Sequence, residues 1–145
     1  MIQGIVFDCD GTLADTMPIH WEAWQSVAGR HGIRFTEDRF YALGGVPSRH
    51  ILEMLSSEQG LTIDPLAIAH EKEAEYLKRL VHVAPIEPVV QVARENRGRI
   101  PMAVASGGTG PVINMVLTRL GIRDCFQAVV TSEDVTRQKP APDIF

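Results

Sequence analysis

Two carboxylates, Asp8 and Asp10, stand two positions apart directly after the apolar run Ile5-Val6-Phe7, and Gly11-Thr12 follows them. The β-branched and aromatic residues of that run suit a buried strand. Side chains alternate along a strand, so this spacing predicts Asp8 and Asp10 on one side and Cys9 on the other. Acids at the C-terminal end of a parallel strand sit where open α/β sheets hold their ligands. Like charges so close are costly without a compensating cation. A hard divalent ion such as Mg2+ suits them, because it takes oxygen ligands and keeps water positions for phosphate oxygens. The same residues also fit a polar turn that closes a strand, since Asp and Gly are ordinary turn residues.

A second candidate lies downstream. Ser106 ends the run Pro101-Met102-Ala103-Val104-Ala105, and Gly107-Gly108-Thr109-Gly110 follows it. Its hydroxyl, with the backbone N–H groups of Gly107 and its neighbours, can hold a phosphate at a helix N-terminus. A helix-capping or turn serine is the alternative.

The elements that would position these residues follow from pattern. After the first strand, helical spacing takes over for about seventy residues. One helix is predicted over 17–30, with Pro18 near its start and Gly32 as a stop. Thr36 is placed to cap a short helix carrying Phe40, Tyr41 and Leu43. Gly44-Gly45-Val46-Pro47 must be a loop. Ser48 is expected to cap the next helix, whose Ile51, Leu52 and Leu55 share a face. Asp64-Pro65 opens another that runs to about His82, with Glu75 in reach of Lys78 and Arg79.

Beyond Pro85 the pattern changes again. A helix over 89–96 leads to the second strand, over 101–106. Pro111 starts a helix through Leu120, stopped by Gly121, and 126–131 reads as a third strand. Alternating strands and helices predict an α/β fold with a parallel sheet, interrupted by an all-helical insertion.

Composition narrows the function classes. The net charge of −4 over 145 residues leaves no basic footprint for nucleic acid. No apolar run approaches the roughly 18 residues of a membrane span. A strand begins at once, so no signal peptide is expected. Cys9 and Cys125 form no CxxC pair and read as two reduced thiols, in keeping with a cytoplasmic protein.

The segment Asp8-Cys9-Asp10-Gly11-Thr12-Leu13-Ala14-Asp15-Thr16 resembles the first signature of the haloacid dehalogenase-like hydrolases, mostly phosphatases and phosphomutases. The resemblance implies that Asp8 attacks phosphorus and that its carboxylate also binds Mg2+. It implies that Asp10 protonates the leaving group, then activates water, and binds the metal through its backbone carbonyl. Ser106 resembles the second signature, a Ser or Thr ending the second core strand. Lys139-Pro140-Ala141-Pro142-Asp143 looks like the third. A lysine there would neutralise both the nucleophile and the transferred phosphoryl group. By itself, a lysine before prolines is an ordinary solvated loop residue.

The resemblance extends to a Rossmann-like core over 1–15 and 85–145, with a helical cap over 16–84. His20 resembles a histidine of the sugar-phosphate branch at the core–cap boundary; a partly exposed helix histidine is the other reading. Gly44-Gly45-Val46-Pro47-Ser48-Arg49 resembles the cap substrate loop of the β-phosphoglucomutase-like subfamily. There Arg49 would hold a second phosphate or sugar oxygens through its fork of donors. Some mutases carry Lys where Gly44 stands, which favours a plain phosphatase. Trp21, Trp24 and Phe40 are expected in the cap core.

The function expected is therefore Mg2+-dependent hydrolysis of a small sugar phosphate or related phosphometabolite through an aspartyl-phosphate. A phosphosugar mutase is the alternative. Dehalogenation ranks third, because Asp10 serves phosphoryl chemistry. A non-catalytic remnant that binds phosphate weakly is the reading from a different class. Family members continue past the Lys-Pro segment to a fourth, acidic signature that completes the Mg2+ site. Here Glu133 and Asp134 precede Lys139, and Asp143 follows it too closely. The C-terminal part of the core is thus expected to be missing. The sheet edge so exposed would favour self-association.

Overall fold

The computed structural model describes residues 1–145. The chain forms two compact units: Met1–Met17 with His82–Phe145, and Pro18–Val81.

The first unit is built on a parallel sheet of β1 (Ile5–Phe7), β2 (Met102–Ala105) and β3 (Ala128–Val130), in that order. Ile5 pairs with Met102 and Phe7 with Val104; Ala103 pairs with Ala128 and Ala105 with Val130. The ladder reaches one residue further, because the Ser106 amide donates to the Val130 carbonyl at 3.0 Å. That bond sets where β2 stops and which way Ser106 begins the next turn. Helices α5 (Glu87–Asn96) and α6 (Gly110–Arg119) precede and follow β2. Phe7, Val104, Ile113, Val116, Leu117 and Phe126 are buried together. Phe7 meets Phe126 edge to face at 5.7 Å between ring centroids, a favoured aromatic geometry.

Directly after β1 the chain makes a tight turn. The amides of Leu13 and Ala14 both donate to the Cys9 carbonyl, and Gly11 donates to Ala14. Gly11 has φ +73° and its absent Cβ would lie 3.3 Å from Met17, so glycine suits this position on both counts. The outgoing and returning strands of chain then pair with each other. Asp15 donates to the Ala84 carbonyl and Ile86 to that of Leu13, both at 2.9 Å.

The second unit is helical: α1 (Met17–Arg30), which begins one residue before it, α2 (Glu37–Ala42), α3 (Ser48–Gln59) and α4 (Pro65–Arg79), followed by a 3-10 turn over Leu80–His82. Trp24, Leu52, Leu55, Tyr76 and Leu80 form its core. Trp24 and Phe35 meet edge to face at 5.1 Å, and Trp21 lies 5.5 Å from Phe40. Thr36 accepts from the Arg39 amide, and Asp64 from the amides of Leu66 and Ala67, as their cap chemistry predicts. Glu75 accepts from Arg79 at 2.6 Å and Lys78 at 3.0 Å, and these bonds bring its carboxyl down to about 2.

The expected elements differ from these at several boundaries. Pro47, not Ser48, is the N-cap of α3, with ψ 138° and no side-chain cap bond; Ser48 is already helical. Helix α5 starts at Glu87, two residues early, because Pro88 fits the first helical turn. The third strand keeps only Ala128–Val130 of 126–131, the three residues that stand in register with β2. Both cysteines are free and buried. No helix is long and apolar enough to cross a membrane.

Candidate active site

The ends of β1 and β2 bring Asp8 and Lys139 together beside Ser106. Asp8 is the first residue past β1, and Lys139 Nζ donates to its Oδ1 at 3.0 Å. The same ammonium donates to the Ala105 carbonyl at 2.9 Å, on the last residue of β2. Lys139 thus spans the two strand ends and stands one residue from Ser106. The pair is accessible: the side chain of Asp8 is 41% exposed and that of Lys139 24%. Thr12 Oγ1 donates to the other Asp8 oxygen at 3.4 Å.

Asp10 is held differently. The hydroxyl of Thr16, which is fully buried, donates to Asp10 Oδ1 at 2.6 Å. Between the two acids, Cys9 is completely buried. Burial foremost, then the charges of Asp10 and Asp8, push its thiol pKa far above the usual range. Burial between two carboxylates thus favours the neutral form of this thiol.

Ser106 is buried, and its Oγ accepts from the Gly108 amide at 3.2 Å. A Cβ on Gly107 would meet open space, whereas one on Gly108 would lie 2.7 Å from Ile113 Cδ1. The turn therefore packs closely at Gly108 and stays open at Gly107, leaving room for a ligand beside the backbone.

The donor set suits a hard cation. Asp8 and Asp10 present only oxygen, which Mg2+ prefers. The acids close to Lys139 in sequence are engaged as well. Glu133 accepts from the Gly110 amide at 2.8 Å, Asp134 from the Thr131 amide and hydroxyl, and Asp143 from Arg137.

The second unit holds His20 and Arg49. The His20 ring stacks on Tyr76, 3.9 Å between centroids and 3° from parallel, and its Nδ1 lies 2.9 Å from Lys72 Nζ. Lys72 is only 3% exposed, uncommon for a lysine. Its ammonium also lies 5.3 Å from the Tyr76 ring centroid and 5.9 Å from that of Trp24, within cation–π range. Arg49 is exposed near the start of α3, with Nε 2.9 Å from Glu53.

Two residues in these contacts carry no role in the sequence reading. Thr16 stood inside the first motif, but only folding reveals that its hydroxyl reaches Asp10. Lys72 had a signal that was available: Ile68, Lys72 and Tyr76 recur at four-residue spacing on α4, and all three are buried. A lysine within an apolar helical stripe points to a specific partner.

Comparison with known proteins agrees with this architecture. A family model described as haloacid dehalogenase-like hydrolase matches residues 5–145. Fructose-1-phosphate phosphatase YqaB of Escherichia coli (strain K12) is 39% identical over 98% of this chain and 76% of its own length. A phosphorylated carbohydrates phosphatase of Thermotoga maritima is 29% identical over 99% of this chain and 68% of its own. Among solved structures, β-phosphoglucomutase from Clostridium difficile shares 25% identity at a TM-score of 0.80, covering all of this chain and 68% of that one.

Proposed function

The chain belongs to the haloacid dehalogenase-like hydrolase family, and from that premise we propose that it is a Mg2+-dependent phosphatase of a small sugar phosphate, working through an aspartyl-phosphate. The observation that carries this reading is the 3.0 Å contact between Lys139 and Asp8 at the strand end beside Ser106.

In this proposal an Asp8 oxygen attacks phosphorus, and the bond from phosphorus to the sugar oxygen breaks. Asp10, protonated, gives its proton to that departing oxygen. Water then attacks the same phosphorus, Asp10 takes the proton back, and orthophosphate leaves Asp8 as a free carboxylate. Lys139 balances the charge of the nucleophile and of the transferring group. Ser106 and the Gly107 amide bind phosphoryl oxygens. Asp8 and the Asp10 carbonyl would hold Mg2+, which supplies further neutralisation of the phosphoryl charge.

The phosphatase relatives support a sugar phosphate as substrate. Gly44, in place of the lysine some mutases carry, favours hydrolysis over phosphoryl return to the sugar. His20 and Arg49 belong to this proposal as the residues that select the sugar. Self-association belongs to it as well, since β1 pairs on one side only and an open strand edge favours pairing.

The deciding experiment incubates the protein with fructose 1-phosphate and a panel of hexose and pentose phosphates, with Mg2+ or with a chelator. Mg2+-dependent orthophosphate release that Asp8→Asn abolishes is expected. Isomerised sugar phosphate without orthophosphate release would make the protein a mutase, and no Asp8-dependent product from any substrate would end the enzymatic reading. Light scattering across a concentration series tests association; a constant monomer mass removes it.

A further inference from the structure

The turn that carries Ser106 is gripped from outside by the segment that follows β3. The Gly108 carbonyl accepts from both the Ser132 amide, at 3.1 Å, and the Ser132 hydroxyl, at 3.0 Å. Two residues on, the Gly110 amide donates to Glu133 Oε2 at 2.8 Å. Gly110 opens α6, so its N–H is one of the first-turn donors that lack an intrahelical acceptor. A carboxylate at a helix N-terminus is also favoured by the helix dipole.

The gripping segment is itself held in shape. Asp134 Oδ2 accepts from the Thr131 amide at 2.8 Å and the Thr131 hydroxyl at 2.9 Å, and these bonds lower its carboxyl pKa. Gln138 Nε2 donates to the Ser132 carbonyl at 2.8 Å, immediately before Lys139. One short stretch therefore touches the Ser106 turn at one end and leads into Lys139 at the other. On the inner side, Gly108 packs closely on Ile113, whose side chain would have to shift to admit a Cβ. The turn is fixed from both sides at Gly108, while Gly107 between Ser106 and Gly108 stays open.

We infer that Ser132 and Glu133 are positioning residues: through Gly108 and Gly110 they hold the Ser106–Gly110 turn in the shape that presents its backbone N–H groups to a phosphoryl group. The inference rests on the phosphatase reading for what the turn binds. The grip itself can be tested without that reading. Neither side chain touches substrate in this account. Each acts through a hydrogen bond to the turn, and losing one such bond shifts an equilibrium by roughly two- to tenfold.

The test uses the whole chain and four variants: Ser132→Ala, Ser132→Thr, Glu133→Ala and Glu133→Gln. Amide exchange at Gly110, followed by NMR without ligand, should quicken by about two- to tenfold in Glu133→Ala and stay near the parent rate in Glu133→Gln, which retains an acceptor. Orthophosphate binding by calorimetry with Mg2+ present should weaken about two- to tenfold in both alanine variants. The threonine and glutamine variants should restore it. Thermal unfolding separates these effects from loss of fold. Unchanged Gly110 exchange in Glu133→Ala, or alanine variants that bind orthophosphate as the parent does, would overturn the inference. A parent protein that neither binds orthophosphate nor hydrolyses phosphoesters would instead remove the phosphatase reading, and the exchange measurement would still decide the grip.

Discussion

Lys139 Nζ donates to Asp8 Oδ1 at 3.0 Å although 131 positions separate the two in the chain. The contact joins the end of β1 to the loop beyond β3, and its second bond, to the Ala105 carbonyl, includes β2. An ammonium so fixed reaches Asp8, the proposed nucleophile, and the strand end beside Ser106 together. Lys139→Met should therefore lower phosphatase turnover by about 10²–10³-fold, the usual loss for one donor aimed at developing charge. Asp8→Asn should abolish turnover. Initial rates on a generic phosphoester, with circular dichroism as the fold control, check both; a Lys139→Met rate within threefold of the parent counts against the assignment.

Asp10 Oδ1 accepts from the Thr16 hydroxyl at 2.6 Å. Asp10→Asn should slow leaving-group protonation, with a loss of about 10²–10⁴-fold on sugar phosphates. The loss should be smaller for nitrophenyl phosphate, whose leaving group needs no proton. Comparing the two substrate types gives the answer, and equal losses would assign Asp10 a structural role.

For the second unit the prediction concerns selectivity. His20→Ala and Arg49→Ala should reduce turnover of sugar phosphates far more than that of nitrophenyl phosphate. His20→Ala should in addition lower the unfolding temperature, because it removes the ring stacked on Tyr76 and a hydrogen-bond partner of buried Lys72. Arg49 is exposed and paired only along its own helix, so its variant should unfold as the parent does. A uniform loss on every substrate would exclude a role in specificity.

Glu75 offers a test by pH. Its carboxyl falls from 4.5 to about 2 through bonds from Arg79 and Lys78. A carboxyl lowered by folding stabilises the folded state above its unfolded value, and that contribution disappears as pH falls through the folded value. Glu75→Gln should therefore unfold more readily than the parent at pH 7. The difference should shrink between pH 4.5 and about 2 and vanish below. Denaturant midpoints at several pH values measure it; a difference independent of pH would mean that packing, not charge, sets the cost.

Much of the local structure was legible in the sequence. Helix α1 runs over the residues its spacing predicts, Thr36 and Asp64 cap as their types suggest, and Ile5–Phe7 is a strand. The parallel sheet followed from alternating strand and helix patterns. These signals act within about a turn of helix or a few strand residues, so neighbouring residue types are enough to carry them. Where the local signal was shared, it misled: Ser48 and Pro47 both suit a helix start, and the backbone at Pro47 took the cap position.

The partners of each side chain were decided only by the tertiary structure. The motif residues Asp8, Ser106 and Lys139 were identifiable by type and order, but the Ala105 carbonyl that shares the Lys139 ammonium with Asp8 was not. Nor were the Thr16–Asp10 bond, the Lys72–His20 contact across 52 positions, or the hold of Ser132 on Gly108. Each depends on the register of strands and the facing of helices that are remote in the chain. Residue type says what a side chain can bond to. Which of those bonds forms is settled when burial removes water as the competing partner and leaves only the neighbours that packing supplies.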